Sequence, residues 1–262
     1  MADRPPVLID IDGVLTTSWR ALPGAPEALA DLRRGGVPFV LVTNTTSRRR
    51  LEVAALLERA GFAVEPGEIL TTATITARHL ARHHPGASVE VLNSGDIAED
   101  LDGIEVVDHD GDVVVLGGAG PEFSYDALNR VFARLQVGVP LVAMNPNLRW
   151  RTDAGLQLDA GAYLLALEAA SGVSATVTGK PAPAFFLSAL DQLGVGPAGA
   201  TMVGDDLHTD VLGAQACGLR GVLVRTGKFD ARLVADSPDR PDRIVDSFAD
   251  VPALLRAEPG AG

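Results

Sequence analysis

Cysteine is nearly absent. Cys217 is the only one in 262 residues, which excludes an intramolecular disulfide framework and fits a reducing compartment. It falls in Ala214-Gln215-Ala216-Cys217-Gly218, a stretch that reads as a helix end and favours a structural thiol over a reactive one. Aromatic residues are also scarce, with two Trp, two Tyr and eight Phe, so packing must rely on Ala, Val and Leu. No window approaches the ~20 apolar residues of a membrane span. No long apolar stretch follows Met1-Ala2-Asp3-Arg4-Pro5-Pro6, so no signal peptide is visible. Positive charge is in deficit: 22 Lys and Arg face 34 Asp and Glu, a formal net charge of −12. That balance argues against nucleic acid or an anionic membrane as partner. It leaves a phosphorylated small molecule open, because the field inside a cleft can differ from the global sum. The expectation is a soluble cytoplasmic protein.

What is present begins with Val7-Leu8-Ile9-Asp10-Ile11-Asp12-Gly13-Val14. An apolar run of β type ends in two acids one residue apart, followed by glycine. Charge at a strand end is unfavourable unless a cation or hydrogen bonds compensate it. Two carboxylates a few Å apart repel by roughly 4 kcal/mol at an effective dielectric near 20. A hard, oxygen-seeking cation such as magnesium is the natural counter-charge.

Short apolar runs alternate with helical stretches, the pattern of a parallel α/β fold. Val7–Ile11, Phe39–Val42, Thr201–Val203 and Gly221–Val224 are apolar on both faces, as buried parallel strands are. Ser47, followed by Leu51, Ala54, Ala55 and Glu58, predicts an amphipathic helix capped by Ser47 and stopped by Gly61. Ala25–Arg34 and Pro183–Leu193 read as helices in the same way. The middle of the chain carries its own set: Ala73–His83, Val89–Leu92, Ile104–Val107, Val113–Gly117, Tyr125–Leu135, Leu141–Met144 and Ala162–Ala170. Pro85-Gly86, Asp110-Gly111 and Asn145-Pro146-Asn147 punctuate it as turns. About a hundred residues with an independent pattern is domain-sized. The expectation is a core made of residues 1–71 and 178–262, with 72–177 inserted as a second domain. The stretch Gly13–Pro23 is long for a βα loop, which usually takes ~2–6 residues. It reads either as a surface excursion or as a flap, with Trp19 and Arg20 facing a ligand or the second domain.

Four separated motifs end apolar runs or open helices: Asp10-Ile11-Asp12-Gly13, Val42-Thr43-Asn44-Thr45-Thr46-Ser47, Gly179-Lys180-Pro181, and Val203-Gly204-Asp205-Asp206 with Asp210 beyond. Ligands of open α/β sheets bind outside the carboxyl ends of strands, where strand order reverses. If those strands are neighbours, the motifs meet in one crevice. Their chemistries complement one another. Asp10 can attack as an oxygen nucleophile and form an aspartyl-phosphate. Asp12, on the same strand face, can serve as general acid and then base. Asp205 would complete a magnesium site with Asp10 and a backbone carbonyl of Asp12, while Asp210 would hold a metal-bound water. Thr43, Asn44 and the backbone N–H groups after them would grip phosphoryl oxygens. Lys180 is a point charge able to neutralise nucleophile and phosphoryl group. Singly each motif is a common turn, cap or loop; in this order they supply what phosphoryl transfer needs.

These motifs resemble the haloacid dehalogenase-like hydrolase superfamily. The matching residues are Asp10-Ile11-Asp12-Gly13-Val14-Leu15, Thr43-Asn44, Gly179-Lys180-Pro181 and Gly204-Asp205-Asp206 through Asp210. Leu41–Arg48, Gly179–Phe186 and Met202–Lys228 look like the type IIA branch of NagD-like and p-nitrophenylphosphatase-like enzymes. Val203–Gly227 and Ala175–Phe186 look most similar to its phospholysine phosphohistidine inorganic pyrophosphate phosphatase group. The resemblance implies a Rossmann-like core with an inserted α/β C2-type cap. It also implies Asp10 as nucleophile, Asp12 as acid/base, Lys180 as charge stabiliser, Asp205 as metal ligand, and phosphate contacts from Thr43 and Asn44. Asp206 sits where the branch varies and is left out of the metal shell. A dehalogenase reading is disfavoured, because those relatives lack the second acid that Asp12 supplies.

The sequence therefore points to a magnesium-dependent phosphatase acting on a small phosphorylated metabolite. Its alternatives are a phosphotransferase or mutase of the same fold, or a binding protein with vestigial activity. A homodimer is the assembly the branch suggests. His79 and His83 have i, i+4 spacing but read as surface histidines rather than a zinc pair. Arg48-Arg49-Arg50 reads as an exposed helix face. Asn145, Pro146, Asn147 and Arg149, at the end of a predicted strand of the second domain, are the candidates for substrate selection.

Overall fold

The computed structural model of the protein describes residues 4–152 and 155–257; Met1, Ala2 and Asp3 of the N-terminal reading, and the last five residues of the expected core, lie outside it. The described residues form two compact units, one of residues 4–43, 50–70 and 185–257, the other of 44–49, 71–152 and 155–184.

The first unit is built on a six-stranded sheet. Its strand order is Arg243–Val245, Arg220–Val224, Thr201–Gly204, Val7–Asp10, Phe39–Thr43, Ile69–Thr71. Val7–Asp10 pairs in parallel with Thr201–Gly204 on one side and Phe39–Thr43 on the other, with Val7 opposite both Thr201 and Phe39. It lies at the centre because Val7, Leu8 and Ile9 are apolar on both faces and fully buried. Successive strands lead away from it first to one side and then to the other. Strand order thus reverses at Val7–Asp10, and the carboxyl end of that strand carries Asp10.

Helix Ala25–Arg34 shows how the sequence dresses this sheet. Gly24 precedes it in the left-handed region, a proline follows at once, Glu27 lies in the first turn, and Arg33 and Arg34 lie in the last. Ala25, Ala28, Leu29 and Leu32 form the single face that it buries. Helix Arg50–Arg59 starts two residues later than a Ser47 cap requires. Two contacts explain the shift. The Ser47 carbonyl is pressed against Gly95, where a Cβ would fall 2.6 Å from its oxygen, and the Ser47 hydroxyl pairs with that of Thr45. Gly61, at φ 95°, does close the helix.

The long stretch after Asp12 contains a hairpin. Thr16–Thr17 pairs antiparallel with Arg20–Ala21, and Ser18 and Trp19 make the turn at φ 49° and 63°. Positive φ at both central residues is the type I′ signature of a tight hairpin. Trp19 packs against the apolar core of its own unit, while Arg20 is exposed.

The second unit contains a five-stranded parallel sheet in the order Thr176–Val177, Leu141–Ala143, Val113–Leu116, Ser88–Leu92, Glu105–Val107. Alternation along Val113–Leu116 feeds two cores. Val114 and Leu116 pack with helices Tyr125–Gln136 and Ala160–Ser171, while Val113 and Val115 pack with helix Thr72–His83. Side chains cap all three helices: Thr71 accepts from Thr74 N–H, Ser124 from Ala127 N–H, and Asp159 from Ala160 N–H. The Asp159 cap starts the last helix two residues before the predicted Ala162. A hairpin of Arg149–Thr152 with Gly155–Leu158 was not anticipated. Leu156 and Leu158 are exposed on its second strand, so the alternation of that strand marks no buried face.

Candidate active site

In the first unit the fold gathers three acids. Asp10 ends the central strand, and Asp205 directly follows Thr201–Gly204, the strand beside it. Asp210 returns on a π-helical turn, Leu207–Leu212. Oxygens of the Asp10, Asp205 and Asp210 carboxylates lie within 4.8 Å of one another, and all three residues are buried. Gly204 permits this: a Cβ there would stand 2.2 Å from the Asp210 Cβ, so only glycine lets Asp210 fold back over the strand end. Asp206 does other work. Its carboxylate caps the π-helical turn, accepting from His208 N–H at 3.0 Å and Thr209 N–H at 2.9 Å.

The electrostatic strain centres on Asp205. Burial, then the Asp10 and Asp210 carboxylates, push its pKa up to about 8, against a smaller pull from the Lys228 N–H. Asp205 Oδ2 accepts that N–H at 2.7 Å, whereas the buried Oδ1 has no hydrogen-bond partner among the described residues. A buried trio of carboxylates with an unsatisfied oxygen is the donor set of a hard divalent cation. These residues fit such an ion.

Asp12 lies one residue past Ile11, is exposed, and stands outside the carboxylate trio. Asp210, expected to act at one remove through water, stands inside it with Asp10 and Asp205. Thr43 is the buried last residue of its strand.

The second unit holds the other motifs. The Asn44 side chain and the Lys180 backbone exchange two hydrogen bonds: Asn44 Nδ2 donates to the Lys180 carbonyl at 2.9 Å, and Lys180 N–H donates to Asn44 Oδ1 at 2.9 Å. Thr72 Oγ1 adds a donation to Asn44 Oδ1 at 3.3 Å. Lys180 is buried, and Gly179 before it touches the Met144 carbonyl. The loop after Asn44 is fixed by Asn93, whose Nδ2 donates to the Thr46 carbonyl at 3.0 Å while its Oδ1 accepts from Gly118 N–H at 2.7 Å. Glycines at 95 and 118 admit that loop, since a Cβ on Gly118 would meet Thr46 Oγ1 at 2.4 Å.

Among the selection candidates, Asn145 is buried and its Oδ1 accepts Asn147 N–H, so part of its carboxamide serves the local turn. Asn147 is half-buried and Arg149 exposed. Arg49 pairs with Glu99 at 2.6 Å and Asp96 at 3.5 Å. His79 and His83 stack with ring centroids 4.5 Å apart, and burial, then its two histidine neighbours, lowers the His79 pKa. Sequence reasoning gave no role to Asn93 or to Thr226-Gly227-Lys228. The second of these follows an apolar strand, as the four motifs do, and that was its available signal.

Comparison with known proteins identifies the family. Residues 7–107 match the haloacid dehalogenase-like hydrolase family model, and residues 177–251 match a second hydrolase model of the same kind. Phospholysine phosphohistidine inorganic pyrophosphate phosphatase of Rattus norvegicus is 37% identical over 95% of this chain and 93% of its own length. The p-nitrophenyl phosphatase structure from Archaeoglobus fulgidus superposes with a TM-score of 0.90 at 28% identity, covering 96% of this chain and 99% of that one. NagD from E. coli K-12 gives 0.86 at 30% identity, over 94% and 98% of the two chains. The chain belongs to the haloacid dehalogenase-like hydrolases. Within them it is a phosphatase of the type IIA branch, with the Rossmann-like core of its NagD-like neighbours.

Proposed function

We propose that the protein is a magnesium-dependent phosphomonoesterase that hydrolyses a small phosphorylated metabolite through an aspartyl-phosphate. The observation that carries this reading is the buried meeting of Asp10, Asp205 and Asp210 at the carboxyl end of the central strand. Asp10, Asp205 and the Asp12 carbonyl would hold the ion, with Asp210 beside them. When bound, magnesium neutralises these acids and the phosphoryl oxygens.

An Asp10 oxygen attacks phosphorus and the bond to the leaving oxygen breaks, with Asp12 donating the proton that oxygen requires. Water then attacks the aspartyl-phosphate and Asp12 takes its proton. Inorganic phosphate leaves and Asp10 is regenerated. Thr43 and Asn44 grip phosphoryl oxygens, and Lys180 neutralises their charge. Supporting the role of Lys180 is the pair of hydrogen bonds by which the Asn44 carboxamide holds the Lys180 peptide.

Residues 1–71 and 178–262 are read as the core and 72–177 as its inserted C2-type cap. All strands of the five-stranded sheet lie between Ser88 and Val177, and those of the six-stranded sheet lie before or after that span. Residues 44–49 and 178–184, each carrying a motif, pack with the second unit. The partner is a phosphorylated small molecule, not nucleic acid or membrane; none of the helices among the described residues is long and apolar enough to cross a bilayer. The cytoplasm is the proposed compartment and a homodimer the proposed assembly.

Relatives suggest the substrates to try. One is named for phospholysine, phosphohistidine and pyrophosphate, and another, from Mycobacterium tuberculosis, is a glycerol phosphate phosphatase solved with calcium (TM-score 0.85, 30% identity, 95% of this chain and 74% of that one). The test is a panel of phosphorylated metabolites and an aryl phosphate with magnesium, run on the wild type and Asp10→Asn. Phosphate release by the wild type alone supports the proposal. Near-wild-type release by Asp10→Asn overturns the mechanism, and transfer to added alcohols in place of release overturns hydrolysis.

A further inference from the structure

The turn Thr226-Gly227-Lys228, which follows strand Arg220–Val224, touches both ends of the acidic site and has no role in the reaction derived above. Thr226 Oγ1 donates a short hydrogen bond to the Gly13 carbonyl, across 213 residues of sequence. Two residues on, Lys228 N–H donates to Asp205 Oδ2 at 2.7 Å. Between them Gly227 lies against both partners. A Cβ on Gly227 would fall 1.9 Å from Asp205 Oδ2 and 2.6 Å from the Gly13 Cα. The converse also holds, since a Cβ on Gly13 would fall 1.8 Å from the same Asp205 oxygen. Both glycines have positive φ, 87° at Gly13 and 59° at Gly227, so each position disfavours a side chain by conformation as well as by space.

Two bare backbones therefore form the walls around one oxygen of Asp205, and one N–H occupies that oxygen. The consequence is directional. With Oδ2 bonded and enclosed, the carboxylate cannot rotate without losing the Lys228 N–H, and Oδ1 is left as the buried oxygen without a hydrogen-bond partner among the described residues. The same turn, through Thr226, fixes the peptide just past Asp12, in the segment whose preceding residues supply Asp10 and the Asp12 carbonyl. A loosened turn would free the acids from two different strands to separate under their mutual repulsion.

We propose that Thr226-Gly227-Lys228 is the positioning element of the cation site: it presets Asp205 Oδ1 as a ligand and ties the Asp205 strand end to the Asp10–Gly13 loop. This rests on the magnesium reading above. Thr226 and Gly227 are positioning residues, acting through Asp205 and Gly13. Groups that orient ligands from outside the coordination shell typically change metal affinity by about 10–100-fold when removed.

The experiment is calorimetric titration of substrate-free protein with Mg2+, for the wild type, Thr226→Val, Thr226→Ser and Gly227→Ala, beside thermal melts of each. Val removes the hydroxyl and keeps the shape, whereas Ser keeps the hydroxyl. The expected result is Mg2+ affinity at least about tenfold weaker in Thr226→Val, recovered in Thr226→Ser, and weaker again in Gly227→Ala. The Mg2+ concentration for half-maximal hydrolysis of an aryl phosphate should rise in parallel, with KM for that ester little changed. A turn that serves only packing would lower the melting temperature and leave the affinity of the folded protein unchanged, and that result overturns the proposal. Should Gly227→Ala fail to fold, the Thr226 pair still decides. Failure of the wild type itself to bind Mg2+ would instead overturn the magnesium reading, and the proposal with it.

Discussion

The carboxamide of Asn44 is bonded face to face with the peptide of Lys180, as donor to its carbonyl and acceptor from its N–H, across 136 residues of sequence. Asn is suited to this because its two ends have opposite hydrogen-bonding character. Asn44→Asp keeps the size and reverses one end: a carboxylate oxygen then faces the Lys180 carbonyl without a proton between them. The expected outcome is a loss of about 1–3 kcal/mol in stability by urea unfolding. A fall in kcat of tenfold or more on an aryl phosphate should accompany it. Unchanged unfolding midpoints would show that the two bonds contribute nothing net.

Gly179 offers an independent probe of the same place. A Cβ there would stand 2.1 Å from the Met144 carbonyl oxygen, a backbone atom that cannot swing aside. Gly179→Ala must therefore shift the Lys180 segment or the strand end bearing Met144. Overpacking of this kind typically destabilises by about 1–3 kcal/mol. The melting temperature should drop, and kcat should drop more than KM rises, since the phosphoryl-neutralising charge is displaced. Wild-type kcat in this variant would count against a positional requirement at Lys180.

Much of this was legible in the sequence because strands buried on both faces read as uninterrupted apolar runs, as Val7–Asp10, Val113–Leu116 and Thr201–Gly204 do. The acids after two of those runs were visible for the same reason. The pairing of Arg149–Thr152 with Gly155–Leu158 was not, because the leucines at 156 and 158 face solvent and nothing in their pattern marks burial. The Ser47 cap failed through a tertiary contact: Gly95 takes the space beside the Ser47 carbonyl, and no local rule contains that neighbour. Asp210 within the carboxylate trio depended on a π-helical turn and on the missing side chain of Gly204, which spacing alone does not convey. The turn at Thr226 meets the acids through a hydroxyl and a backbone N–H, so a search for reactive side chains passes over it.

Stability of the metal-free protein should depend on pH through Asp205. In an unfolded chain this carboxyl ionises near 4, as carboxylates do, whereas in the fold burial and its acidic neighbours raise it to about 8. The folded state holds the extra proton between those values. This contribution is fully present below about pH 4 and is lost as pH rises toward 8. Asp31, Glu68 and Asp112 are shifted downward by their partners and act in the opposite sense, so a difference measurement is needed. In EDTA, Asp205→Asn should become progressively more stable than the wild type from pH 4 to pH 8. Added Mg2+ should raise the wild-type melting temperature more at pH 8 than at pH 5, because ion and proton compete for the same oxygens. A wild-type-minus-variant difference that stays flat with pH would refute the raised pKa.

Asp206 and Asp210 are four residues apart, yet they should answer differently to substitution. Asp206 spends its carboxylate on His208 and Thr209 N–H groups, the work of a helix cap. Asp206→Ala should therefore cost about 1 kcal/mol of stability and leave Mg2+ affinity near that of the wild type. Asp210 belongs to the buried trio, and its side chain also accepts the Asp206 N–H at 3.2 Å. Asp210→Asn keeps an acceptor for that N–H while removing the charge and one oxygen. The expected outcome is a melting temperature in EDTA equal to or above the wild type's, since one of the mutually repelling acids has lost its charge. Mg2+ affinity should fall at least about tenfold, whether Asp210 binds the ion directly or through water. Melts with and without Mg2+ read both effects at once, and equal metal-induced stabilisation in Asp210→Asn and wild type would remove Asp210 from the site.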